Sequence, residues 1–182
     1  MEKIFDNTEV AFALKNNTEL NKAYYLFKLI SSNALVKIGT SLTSFAISTN
    51  LPVKGLIKST VFDHFCGGVT EEDCLKVVDK MYTKGVSSVL DYSVEGKETQ
   101  EQFDHALQMT LKTIEFAKER TAIPFAVFKP TGVGRFFLFE KKGENLPFTD
   151  AEQQEWNRIV ERFDIICRTA YEKDVLLLID AE

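Results

Sequence analysis

From Val86 onward, short apolar runs alternate with long amphipathic stretches, and this order constrains the fold more than any other feature of the chain. Val86–Tyr92, Ile123–Phe128 and Val175–Ile179 read as buried strands. Between the first two, residues 99–120 carry Phe103, Leu107, Leu111, Ile114 and Ala117 at helical spacing. Before the third, Thr149 and Glu152 form a capping box that opens a helix with Trp156, Ile159, Phe163, Ile166 and Ala170 on its buried stripe. Strand–helix–strand order predicts a parallel sheet, because parallel strands need crossover connections and are covered on both faces. The expected class is therefore α/β, with about three parallel strands.

The first part of the chain has a different texture. Residues from about 18 to 49 read as helical, with Thr18 as the N-cap and a break at Ser31-Ser32-Asn33 giving two helices. Leu51-Pro52 ends them, since the residue before proline is pushed out of the helical region. This predicts an N-terminal helical arm over 1–51 and an α/β region over 52–182. An arm packing on a neighbouring domain is preferred to a membrane-surface helix, because lysines are few and Asn and Ser many. Thr70 caps a further helix with Leu75, Val78 and Tyr82 on its stripe and Cys74, Val77 and Met81 alongside, closed by Gly85. The stretch holding Pro130, Gly132, Gly134 and Gly143 reads as a loop. Three strands with two open edges, the last lacking a covering helix, lead to the expectation that 52–182 is the front part of a longer protein. A complete small domain is the alternative.

Charge and cysteine content narrow the function classes. With 22 Lys+Arg against 27 Asp+Glu, the net charge is −5, which argues against nucleic acid or an anionic membrane as the main partner. Cys66, Cys74 and Cys167 show no CxxC spacing and read as reduced, mostly buried thiols. The acidic N-terminus does not read as a signal or transit peptide, and Val175–Ile179 is too short to span a bilayer.

In parallel α/β proteins the ligand lies beyond the carboxyl ends of the strands. The three runs end in Asp91-Tyr92-Ser93-Val94-Glu95, in Lys129-Pro130-Thr131-Gly132 and in Asp180-Ala181-Glu182. Glu95, Lys129, Asp180 and Glu182 are thus expected on one rim, where an amine beside carboxylates in a partly desolvated mouth can hold an amino acid or a carboxylate. Each charge alone is also explained by a strand meeting water. His64 and Cys66 lack the further ligands a metal site needs. His105 reads as a surface or packing histidine. Gly132-Val133-Gly134-Arg135 lacks phosphate-loop spacing and reads as a turn.

Four stretches, Phe62–Gly68, Val89–Glu95, Phe128–Gly132 and Leu178–Glu182, together resemble the proline dehydrogenase family from about Pro52 to the end, and the helical arm resembles the N-terminal part of bacterial members. The resemblance implies the N-terminal portion of a distorted (β/α)8 barrel, truncated after about three of its eight strands, since a whole barrel takes roughly 250 residues. It implies FAD as cofactor, and oxidation of L-proline to 1-pyrroline-5-carboxylate with electrons passed to a quinone. By the family pattern Lys129 pairs with the substrate carboxylate. Asp180 stands beside the flavin and that lysine, Ala181 follows against the flavin, and Glu95 gates the site by pairing with a late arginine. The implied location is the cytoplasm of a bacterium, with peripheral association at the inner face of the membrane, for quinone access, as an open option. No metal is implied. Two other readings stay open: a different barrel enzyme using Lys129 as a Schiff base, and a non-catalytic half-barrel acting as an interaction piece.

Overall fold

The computed structural model describes residues 6–49, 51–92 and 96–181. It forms two compact units, Met1–Lys80 and Met81–Glu182. The first unit is helical. A single turn α1 (Thr8–Ala11) precedes α2 (Asn17–Ile30) and α3 (Asn33–Ser48), which are separated at Ser31–Ser32 as the polar break predicts. The N-cap of α2 is Asn16, not Thr18. The Asn16 side chain accepts from the Glu19 amide, and the Glu19 carboxylate accepts from the Asn16 amide. Thr18 has no acid or amide three residues on that could close such a box except Asn21, which is too short to reach back. After Pro52 come α4 (Lys54–Ile57), a π-helical turn (Lys58–Phe62) and α5 (Asp63–Phe65). Here Phe27 and Phe65 meet the His64 ring edge-on, at 5.2 and 4.9 Å between centroids, so His64 is a packing residue.

Helix α6 (Glu71–Tyr82) runs across the boundary between the units. Thr70 caps it by accepting from the Asp73 amide at 3.2 Å. Gly85 ends it with φ +71°, a left-handed conformation that costs glycine nothing. Of its expected stripe only Val78 is buried, and Val77 and Tyr82 are exposed. The cysteines are unpaired as expected, but Cys66 and Cys167 are exposed rather than buried.

The second unit carries the sheet. Helix α7 (Gln100–Ala117) starts at a Thr99/Gln102 capping box. Strand β1 (Phe125–Phe128) follows, then α8 (Pro130–Val133), α9 (Phe136–Gly143), α10 (Asp150–Glu172) and β2 (Leu176–Ile179). Strands β1 and β2 pair in parallel, Phe125 with Leu176 through Phe128 with Ile179. The expected capping box of α10 is present in both directions. Two expectations need correction. Among the described residues the first strand is reduced to one parallel bridge, Leu90 to Ala126, so the sheet has two strands and a bridge instead of three strands. Val86 and Val89 are exposed, so no buried side chain fixes a register there, and the Ser88 amide bonds Ala122, outside β1. The glycine-rich loop is two helices, α8 and α9. Pro130 occupies the first helical position, where its missing N–H costs no bond.

The core of this unit is formed by Leu107 and Ile114 of α7, Ala126 and Phe128 of β1, Val133 of α8, and Ile166 and Ala170 of α10. The apolar stripes of α7 and α10 face the strands, and Phe128 meets the Phe163 ring edge-on at 5.0 Å. This is the packing that places the ends of β1 and β2.

Candidate functional site

In-register parallel neighbours share a face, and the ladder fixes which residues emerge together. Phe128 pairs with Ile179, and the Asp180 amide donates to the Phe128 carbonyl at 3.0 Å. The next residues, Lys129 and Asp180, therefore leave the sheet side by side. Their Nζ and Oδ2 atoms are 3.4 Å apart. The Lys129 side chain is only 14% exposed and that of Asp180 is 50% exposed, so the pair has one protected and one solvent-facing member. Salt screens such a half-buried pair less than an exposed one. Ala181 follows, exposed, directly after the pair. Glu95 and Glu182 lie outside the described residues.

Lys129 is also the N-cap of α8, with extended backbone (φ −98°, ψ 131°), and its carbonyl accepts from the Gly132 amide at 2.9 Å. The segment after it is fastened to α10 at three points. The Val133 carbonyl accepts from a terminal nitrogen of Arg162 at 3.1 Å. Gly134 lies against Ile159 so closely that a Cβ would overlap the Ile159 side chain, which is why glycine stands there. Arg135 forms a two-pronged pair with Glu155, its Nε donating to Oε1 at 2.8 Å. That pair holds the Arg135 guanidinium charged, raising its pKa.

Before α7, the backbone bridge at Leu90 sets Asp91 and Tyr92 beside β1. Lys97 packs its ammonium over the Tyr92 ring, 5.2 Å from the centroid. Its side chain is 8% exposed, and Nζ has no hydrogen-bond partner among the described residues. Burial pushes this amine below its usual lysine range. The Tyr92 ring meets His105 on its other contact, at 6.1 Å, and His105 is exposed on α7.

Sequence reasoning puts Lys129 and Asp180 at the ends of two strands, where the structure has them 3.4 Å apart, and does not single out Arg162 or Lys97. A signal for Arg162 exists. Glu155, Ile159, Arg162, Ile166 and Ala170 follow one another at spacings of three and four, so the arginine sits inside the apolar stripe of α10, and all five are buried. A charge at such a position needs partners, and Arg162 has them on other elements.

Comparison with known proteins relates the sequence of this chain to a known family. A family model described as proline dehydrogenase matches residues 74–182, which include both strands, Lys129 and Asp180. Among curated proteins, the carbapenem antibiotics biosynthesis protein CarD of Pectobacterium carotovorum subsp. carotovorum is 33% identical over 129 residues, covering 71% of this chain and 34% of that protein. Mitochondrial proline dehydrogenase 1 of Caenorhabditis elegans is 36% identical over 126 residues, covering 68% of this chain and 19% of that protein. Mitochondrial proline dehydrogenase 1 of Arabidopsis thaliana is 28% identical over 168 residues, with 71% and 34% covered. The chain thus spans about a third or less of the length of these relatives. With the family model covering more than half of its residues, the chain belongs to the proline dehydrogenase family.

Proposed function

We propose that the protein oxidises L-proline to 1-pyrroline-5-carboxylate, that β1, β2 and the Leu90 bridge belong to a (β/α)8 barrel, and that Lys129 and Asp180 form part of its substrate mouth. The observation that carries the reading is the ion pair of Lys129 and Asp180 at adjacent strand ends, 3.4 Å apart, with the lysine mostly shielded. Substrate carboxylate needs a fixed positive charge, and a shielded ammonium provides one that water and salt weaken little. Asp180 holds that ammonium at the rim.

FAD is the proposed cofactor, and it supplies a two-electron acceptor for the hydride on the ring carbon next to the proline nitrogen. The residues present suit it. Ala181 is small and exposed beyond the end of β2, leaving room for a planar ring, and the Asp180 amide is already used within the sheet. Asp180 and Ala181 would line the cofactor. As hydride leaves, the C–N bond becomes C=N and the nitrogen proton goes to solvent, so no protein nucleophile takes part. The tasks left to this chain are to bind the carboxylate through Lys129, to keep Lys129 oriented through Asp180, and to exclude water around both. Glu95 is proposed as the gate of the first strand–helix loop, in keeping with its place five residues after the Leu90 bridge. The carboxylate beside Lys129 also favours ion pairing over the Schiff-base reading, which consumes a neutral amine.

A quinone is the proposed electron acceptor, reached from the cytoplasm by peripheral contact with the membrane. Residues 20–62 hold five lysines and no acid, so all 27 acids of the chain lie outside this stretch. Tyr24, Tyr25, Phe27, Leu42 and Phe45 within it are exposed. Exposed aromatic and aliphatic side chains of this kind suit shallow contact with the interfacial region of a bilayer. Among the described residues, no helix is long and apolar enough to cross a membrane.

The test is Lys129→Met in the full-length enzyme. A hydrogen bond to a charged group is worth about 1.5–3 kcal/mol, so the KM for L-proline is expected to rise roughly tenfold to a hundredfold, with flavin retained. An unchanged KM removes Lys129 from the site.

A further inference from the structure

We infer that Arg162 is a positioning residue for Lys129, acting across α10 and α8 without touching the substrate. The inference rests on the reading of Lys129 as the carboxylate-binding residue. It starts from the way Arg162 is held. Its side chain is 4% exposed, and four of its five N–H donors are used. Nε and a terminal nitrogen both donate to Asp104 Oδ1, at 2.9 and 2.8 Å. The same terminal nitrogen donates to Gln100 Oε1 at 2.8 Å, and the other one to the Val133 carbonyl at 3.1 Å. The guanidinium also lies over the Phe103 ring, 5.5 Å from its centroid. Gln100, Phe103 and Asp104 all lie on the first turns of α7. A planar fork with this many partners has one orientation.

The Val133 carbonyl is the informative partner. Val133 closes α8, a helix of four residues that starts directly after Lys129. A single turn has little stability of its own, because nucleation fixes several residues for one hydrogen bond. Its place is set from outside: by the end of β1, by α7 and the core in which the Val133 side chain is buried, and by α10 through Arg162, Ile159 and Glu155. Without the Arg162 contact, the Val133 carbonyl loses its charged donor, and the turn keeps the burial of the Val133 side chain and the Ile159 and Glu155 contacts but not the bond that fixes its last carbonyl relative to Lys129. Misplacing a substrate-binding group by about 1 Å can cost up to about a hundredfold, and for a group that binds the substrate carboxylate the cost falls on kcat/KM through KM.

The experiment is a double-mutant cycle in the full-length enzyme with Arg162→Met, Lys129→Met and the combination. Arg162→Met is expected to raise the KM for L-proline about tenfold with kcat within about twofold, and the combination to be no worse than Lys129→Met alone. Lys129→Met raising KM while Arg162→Met does not, or effects that multiply in the combination, would overturn the role of Arg162. A KM unmoved by Lys129→Met would instead overturn the reading beneath it. Arg162→Lys keeps a buried cation but not the fork, so it guards against loss of folding. In the same protein, it is expected to speed hydrogen exchange at the Gly132 amide, which bonds the Lys129 carbonyl, while α7 and α10 stay protected. Uniform acceleration across both helices would mark Arg162 as a general packing residue and refute the assignment.

Discussion

Helices α2 and α10 are built from the same local instructions and end in different states. Both begin with a reciprocal capping box, Asn16 with Glu19 and Thr149 with Glu152, and both carry an apolar stripe. Yet α2 buries no residue and α3 buries only Ala46, while α7 buries seven residues and α10 five. Caps and periodicity therefore specify that a helix forms, and in both units it does. Burial depends on a partner of matching shape, and the second unit has the two strands as that partner. The division bears on the proposed site: the unit with the buried stripes holds Lys129 and Asp180 in register, and the unit with exposed ones presents apolar surface.

Core truncation is expected to separate the two regions most. Ile166→Ala should destabilise the chain by about 2–5 kcal/mol, because the fully enclosed side chain leaves a cavity. Leu42→Ala on exposed α3 should stay within about 0.5 kcal/mol. Urea unfolding of both variants checks this, and equal losses would mean that the α3 stripe is covered in solution.

A smaller effect concerns buried charge. Lys97 and Lys28 each lie over a tyrosine ring, Tyr92 and Tyr24, but only Lys97 is buried. Its lowered pKa means that the folded state resists protonation that the unfolded chain accepts, so it detracts from stability at neutral pH. That penalty should fade as pH rises towards the unfolded lysine value of about 10.4. Lys97→Met is expected to raise Tm by about 2–4 °C at pH 7, and Lys28→Met to leave it unchanged. A lower Tm for Lys97→Met would show that the ring contact outweighs the burial.

The smallest effect is acid sensitivity of α10. Bonding to Lys141, then to the Thr149 amide, lowers the Glu152 pKa to about 2. A depressed carboxylate contributes stability above its unfolded pKa and loses it as pH falls through the folded value. The start of α10 should therefore loosen between about pH 4.5 and pH 2, read as faster amide exchange at Glu152 and Gln153. Glu152→Gln should remove most of that pH dependence.

Much of the second unit is legible in the sequence because its signals are local. The stripes of α7 and α10, the Thr149/Glu152 box and the apolar runs of β1 and β2 each fit within one window of residues. The candidate pair is legible for a related reason: Lys129 and Asp180 each end an apolar run, and parallel strand ends share a rim. What escapes reading is long-range. Arg162 meets Asp104, Gln100 and Val133 at separations of 58, 62 and 29 residues, and no window spans them. The glycines and proline of 130–143 read as breakers because their role in α8 and α9 depends on close contact with Ile159 and on a proline already at a helix start. The first strand fails as a strand because a ladder needs a fixed register, which exposed Val86 and Val89 do not give.

A crystal structure of the protein with a bound pyrrolidine-2-carboxylate bears most directly on the shared mouth proposed for Lys129 and Asp180. The ligand carboxylate is expected within about 2.7–3.2 Å of Lys129 Nζ, with Asp180 still beside that ammonium. A carboxylate bound at the other end of the strands, or a Lys129 turned away from both ligand and Asp180, would contradict it.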